Sequence, residues 1–147
     1  MMEAKKAQFK FSNYTIPKFS YDGLANHDEG LKIQFEPSGM YNEKEGIFHL
    51  YLNFIGRQDN LNNGVVVDAN CVAVFNFQPE LPFNEIPDFF YKNAIAIFFP
   101  YLRSFLSTLS LQANTRLILL DLMNLTDLGD TFKDNTKCIN NLDGKIS

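Results

Sequence analysis

Phe98-Phe99-Pro100-Tyr101-Leu102-Arg103-Ser104-Phe105-Leu106-Ser107-Thr108-Leu109 is the stretch on which the fold turns. From Asn93 to Thr115 the only charged residue is Arg103. Proline costs about 3 kcal/mol inside a helix but is accepted in the first turn. A helix is therefore predicted to start at or just before Pro100 and to end near Ala113-Asn114. Leu102, Phe105, Leu106 and Leu109 then recur at i, i+3, i+4 and i+7, which makes one apolar face. The other face is Ser104, Ser107, Thr108 and Ser110, which is polar, small and uncharged. Such a face suits close approach by another helix and places Ser104, Ser107 and Thr108 in an oligomer contact. It also suits an ordinary core helix with a serine-rich outer side.

Upstream of the helix, apolar residues alternate. Phe9 and Phe11 are in phase with each other and out of phase with Tyr14 and Ile16, so a bulge is expected near Asn13. Pro17 ends that strand or marks it as an edge. Leu31, Ile33 and Phe35 form one side of a second strand, and Pro37 to Gly46 reads as a polar turn. Phe48, Leu50, Leu52 and Phe54 share a face of a third strand, Ile47 to Ile55. Val67, Ala69, Cys71, Ala73, Phe75 and Phe77 share a face of a fourth, Val65 to Gln78. Four strands joined by polar turns and followed by helical sequence give an α+β class: a four-stranded antiparallel sheet with the helix on one face.

Between strand and helix, Pro79 to Pro87 holds three prolines and reads as irregular. It carries Leu81, Phe83 and Ile86, and Phe89, Phe90, Ile95 and Phe98 follow at once. These rings either complete the core or line a groove for apolar recognition. After the main helix, Leu117 to Leu120 is an apolar run returning to the body. Asn124 could cap a short last helix from Leu125, weakened by Gly129. Residues 1–7 are expected to be frayed, 8–128 to form the single domain, and 129–147 to be a poorly ordered tail.

Composition narrows the function. The net charge is −4, with 13 Lys and Arg against 17 Asp and Glu, which disfavours nucleic acid as a partner. Cys71 and Cys138 are too few for a disulfide framework or a zinc site. No sequence-local Ser, Cys or acidic partner suggests nucleophilic catalysis for His27 or His49, and no phosphate loop or metal-spaced acidic cluster occurs. No enzyme and no cofactor is favoured. No basic, apolar leader is present and no stretch reads as the ~20 apolar residues of a membrane span, so a cytoplasmic protein is expected. With 15 Phe and 6 Tyr among 147 residues, the chain holds more aromatic surface than one core requires.

Ile97-Phe98-Phe99-Pro100-Tyr101-Leu102-Arg103-Ser104-Phe105, continuing through Leu106 to Ala113, resembles the F-P-Y-x-R helix start of the SecB family of protein-export chaperones. The order of elements over 8–128 is similar to that family as well. The resemblance implies an α+β chaperone that forms a homotetramer, a dimer of dimers. It implies binding of unfolded polypeptides in a long apolar groove along the crossover, and their transfer to the SecA motor. The matching groove positions are Phe77, Leu81, Phe83, Ile86, Phe89, Phe90, Ile95 and Phe98. The chain departs from the family after the helix, where Leu117 to Leu125 lacks proline. Glu36, Asp59 and Asp68 are scattered, so client binding carries over better than SecA docking. A SecB-like chaperone for another client, such as an antitoxin, fits equally well. The competing class is a non-chaperone oligomeric scaffold or small-ligand module, which would fill the groove with its own rings.

Overall fold

Alternating sequence becomes sheet over most of the first half of the chain. In the computed structural model, which describes residues 9–25, 30–58, 64–140 and 145–146, four long strands come first. They are β1 (Phe9–Tyr21), β2 (Leu31–Asn42), β3 (Ile47–Gln58) and β4 (Val65–Phe77). They pair antiparallel in the order β1-β4-β3-β2. Phe48, Leu50, Leu52 and Phe54 of β3 are buried, as are Val67, Ala69, Cys71, Ala73, Phe75 and Phe77 of β4. β1 is an edge strand, as Pro17 requires, and its register with β4 shifts between Phe11 and Asn13, where the phase of the sequence slips. A second shift between Thr15 and Lys18 spans Pro17. Residues 1–7, expected to be frayed, lie outside the described residues, as do His27 and residues 59–63.

Three sequence expectations need correction. First, Pro37 does not end β2, which pairs with β3 without interruption to Asn42. The Gly39 amide donates to the Asn135 carbonyl, and the Asn135 side chain donates to the Pro37 carbonyl. Odd-numbered residues of β2 therefore turn their backbone groups away from β3. The amide that proline lacks is not one the β3 ladder uses.

Second, the sheet is mixed and six-stranded, not four-stranded and antiparallel. β5 (Thr136–Asn140) lies parallel to β2 against Gly39–Asn42, and a two-residue pairing with β6 (Lys145–Ile146) extends it. Residues 129–140 are thus packed structure. A 3₁₀ turn (Thr126–Leu128) leads into α2 (Gly129–Asp134), whose Phe132 is buried edge-on to Phe48. Gly39 admits this layer: a Cβ there would lie 2.6 Å from Thr136 Oγ1 and 2.9 Å from the Phe132 ring. Gly129 likewise does not interrupt a helix but opens one, and a Cβ there would meet the Lys92 backbone at 3.1 Å.

Third, the main helix α1 runs Asp88–Gln112, with Pro100 inside it. Pro87, not Pro100, stands at its start. Pro100 cannot donate to the Ala96 carbonyl, at a cost of about 3 kcal/mol. Phe90, Ile95 and Phe98 before it, and Leu102 and Leu106 after it, are buried. Each fully buried side chain contributes roughly 1.5–3 kcal/mol, so packing on both sides outweighs the lost bond. α1 is 25 residues long and holds an 18-residue window of mean hydropathy 1.4, so by length and composition alone it could cross a membrane. That overturns the expectation that no stretch reaches that length; splitting the helix at Pro100 had hidden it. Here its buried face packs on the sheet in one hydrophobic core.

Candidate functional site

The crossover from β4 to α1 is held down by β2 and its turn. The Tyr41 hydroxyl donates to the Leu81 carbonyl at 2.6 Å and accepts from the Leu81 amide at 3.2 Å. The Phe83 amide donates to the Glu43 carboxylate at 2.7 Å, and the Phe83 ring stacks over Tyr41. Burial pushes the Tyr41 hydroxyl's pKa up. Of the eight residues that the sequence places in a groove here, five are inside. Phe77, Ile86, Phe90, Ile95 and Phe98 are buried in the core, where Phe90 meets Phe48, Phe75, Phe77 and Tyr91. They fill the space between sheet and helix and line no open surface. Leu81 and Phe83 are half-buried, and Phe89 is 49% exposed.

Uncovered aromatic surface lies along a different seam, between edge strand β1 and α1. Phe9 meets Phe89, Phe11 and Tyr14 both meet Tyr101 at 5.0 Å, and Phe19 meets Phe105 at 5.1 Å. Phe19, Phe89 and Tyr101 are exposed, while Phe11, Tyr14 and Phe105 are half-buried beneath them. The sequence reading took Phe9 and Phe11 as ordinary strand residues. The signal it passed over is that an edge strand with five aromatic residues has no second strand to cover them.

The small-residue face of α1 is partly occupied by the chain itself. An extended segment, residues 116–122, runs along it. Ser107 Oγ donates to the Ile118 carbonyl, the Ile118 amide donates to Ser110 Oγ, and Arg103 Nε donates to the Leu120 carbonyl at 2.6 Å. Ile118 and Leu120 are buried by this, while Leu117, Leu119 and Leu122 point outward. Of the predicted oligomer contact, Ser107 is therefore bonded within the chain, and Ser104 and Thr108 are exposed. Grooves flank the segment on both sides. One is bounded by Phe99, Ser104, Ser107, Leu119 and Leu122. The other, about 450 Å³, separates the segment from Leu31 and Ile33 of β2.

Among the described residues, no group of three or more His, Cys, Asp or Glu could hold a metal ion. Burial pushes the Cys71 thiol up to about 12, which makes it inert rather than nucleophilic. The Lys133 ammonium beside Asp88 holds that carboxyl below its usual range and is itself raised, an exposed pair joining α2 to the start of α1.

No family model and no curated protein matches the chain. The fold itself has solved counterparts: the chain adopts a SecB-like fold. One such structure is the Mycobacterium tuberculosis SecB-like chaperone Rv1957 in complex with a ChAD peptide from the Rv1956 HigA1 antitoxin. It superposes with a TM-score of 0.63 at 14% identity, over 79% of this chain and 90% of that one.

Proposed function

We propose that this protein is a SecB-like molecular chaperone, a non-enzymatic holder of unfolded polypeptide. The observation that carries the proposal is the uncovered aromatic seam between β1 and α1 on that fold. Exposed rings backed by half-buried rings hold apolar segments without demanding a sequence, because apolar contact is non-directional. The antitoxin peptide on the structural counterpart supports a dedicated client of that kind as much as exported preproteins. Docking to SecA has less behind it. Glu36 and Asp68 lie on β2 and β4 with β3 between them, and Asp68 accepts a bond from Asn53. A homotetramer is the assembly that this reading carries with it.

The experiment is capture of a client that refolds slowly. At stoichiometric ratio the intact protein should delay refolding and suppress aggregation. No effect on either sinks the reading. The self-filled crossover favours a second reading, an oligomeric scaffold on the same fold. A protein that assembles into oligomers but leaves the client's aggregation unchanged would support that one instead.

A further inference from the structure

Arg103 is the only charged residue between Asn93 and Thr115, and it is half-buried. Its Nε donates to the Leu120 carbonyl, which ties the extended segment to α1. Among the described residues no carboxylate pairs with the guanidinium, and its Nη groups donate to nothing. Asp121, next to the accepting carbonyl, lines the groove on the other side of the segment. Burial removes hydration that no counter-charge replaces, so an anion is attracted here more strongly than at an open surface. Arg103 lines the nearer groove, of about 200 Å³, together with Phe99, Pro100, Leu119 and Leu122. Ser104 lines it too; it is exposed, and its hydroxyl has no hydrogen-bond partner among the described residues.

We propose that this groove binds a medium-chain carboxylate, with its head on Arg103 and Ser104 and its chain against Phe99, Leu119 and Leu122. The inference stands apart from the polypeptide-binding reading, because the ligand is a small molecule. One fixed cation matches one negative charge. The Nη groups form a fork that receives a carboxylate through parallel N–H···O bonds, and the Ser104 hydroxyl is a further donor. A phosphate monoester would bring a second charge that nothing balances. The groove is smaller than the roughly 300–1,000 Å³ of drug-sized sites. At about 30 Å³ per water-sized group it takes roughly seven, the body of a short fatty acid. A polypeptide's C-terminus presents the same carboxylate, but it would bring backbone polar groups into a groove walled mainly by apolar side chains.

The test is calorimetric titration of the full chain with octanoate, which should bind saturably, one molecule per chain. Octanol has the same chain and no charge, and should bind at least tenfold more weakly. Arg103→Gln should weaken octanoate by as much, but it also removes the bond to Leu120. The decisive pair is therefore at Leu122, which is 87% exposed, so that substitution there leaves the core intact. Leu122→Glu should weaken octanoate binding tenfold or more. Leu122→Lys should bind octanoate at least as tightly as the unmodified protein. Octanoate binding that ignores the charge at 122, or that octanol matches, overturns the carboxylate site, as does the absence of saturable binding. Tighter binding of N-acetyl-leucyl-leucine than of octanoate would assign the groove to a chain terminus and overturn the small-ligand proposal.

Discussion

Phe89 and Phe90 are adjacent in sequence and opposite in environment. Phe89 is 49% exposed and Phe90 is 0% exposed. A serine at 90 would leave a cavity among six rings and should cost ~3 kcal/mol or more, read as a fall in the denaturant midpoint. A serine at 89 should leave the midpoint nearly unchanged and weaken client capture, as expected of a ring that contributes to binding and little to folding. A stable Phe90→Ser protein would return that ring to the groove. Sequence could not separate the two, because both lie in one aromatic run and helix phase depends on where the helix starts. Tyr91, the next residue, gives a pH test. Burial, then the nearby Asp88 charge, pushes its hydroxyl up to about 12. The unfolded hydroxyl ionises near pH 10, so the folded state binds its proton more tightly. The stability this contributes is whole below pH 10 and is lost as pH rises toward 12. Melting curves should show a steep decline across that window, flattened in Tyr91→Phe; an equally steep decline in the variant assigns the loss elsewhere.

α1 was legible in its second half and hidden in its first. Leu102, Leu106 and the end near Ala113 follow from 3.6-residue periodicity, and the helix does stop there. Its start was misplaced because proline preference is a local rule, whereas burial of Phe90, Ala94 and Ile95 against the sheet is a tertiary one. Replacing the exposed Pro100 with alanine should restore the bond to Ala96 and raise stability, by up to about 3 kcal/mol, in equilibrium unfolding. A loss of stability would mean that the helix has been shaped around the ring. The strap along α1 was legible only as an apolar run. Its anchor, Ser110, is fully buried, donates to the Leu106 carbonyl and accepts from the Ile118 amide. Ser110→Ala orphans that buried amide and should cost about 1–3 kcal/mol. The bulge at Asn13 and the inward faces of β3 and β4 were readable because strand alternation is set by neighbours two residues apart. β5 was not, because its partner on β2 lies nearly a hundred residues away and parallel pairing leaves no turn signal.

At the scale of the whole molecule, apolar and small uncharged surface remains that one copy of the chain does not cover. Ser107 is bonded to the chain's own strap, so the part of the helix face still open is Ser104, Thr108 and Leu111 at i, i+4 and i+7, all exposed. Small side chains let a second helix approach closely, and Leu111 would be buried by it. A charge placed there would be desolvated without a partner, which costs several kcal/mol in a closed contact and little on an open surface. The doubly substituted Ser104→Glu, Thr108→Glu protein should therefore keep its fold and show a smaller mass by light scattering than the unmodified protein. If the unmodified protein is already a monomer at micromolar concentration, the helix face is an ordinary solvated surface. The aromatic seam between β1 and α1 would then be open on every copy rather than shared between copies.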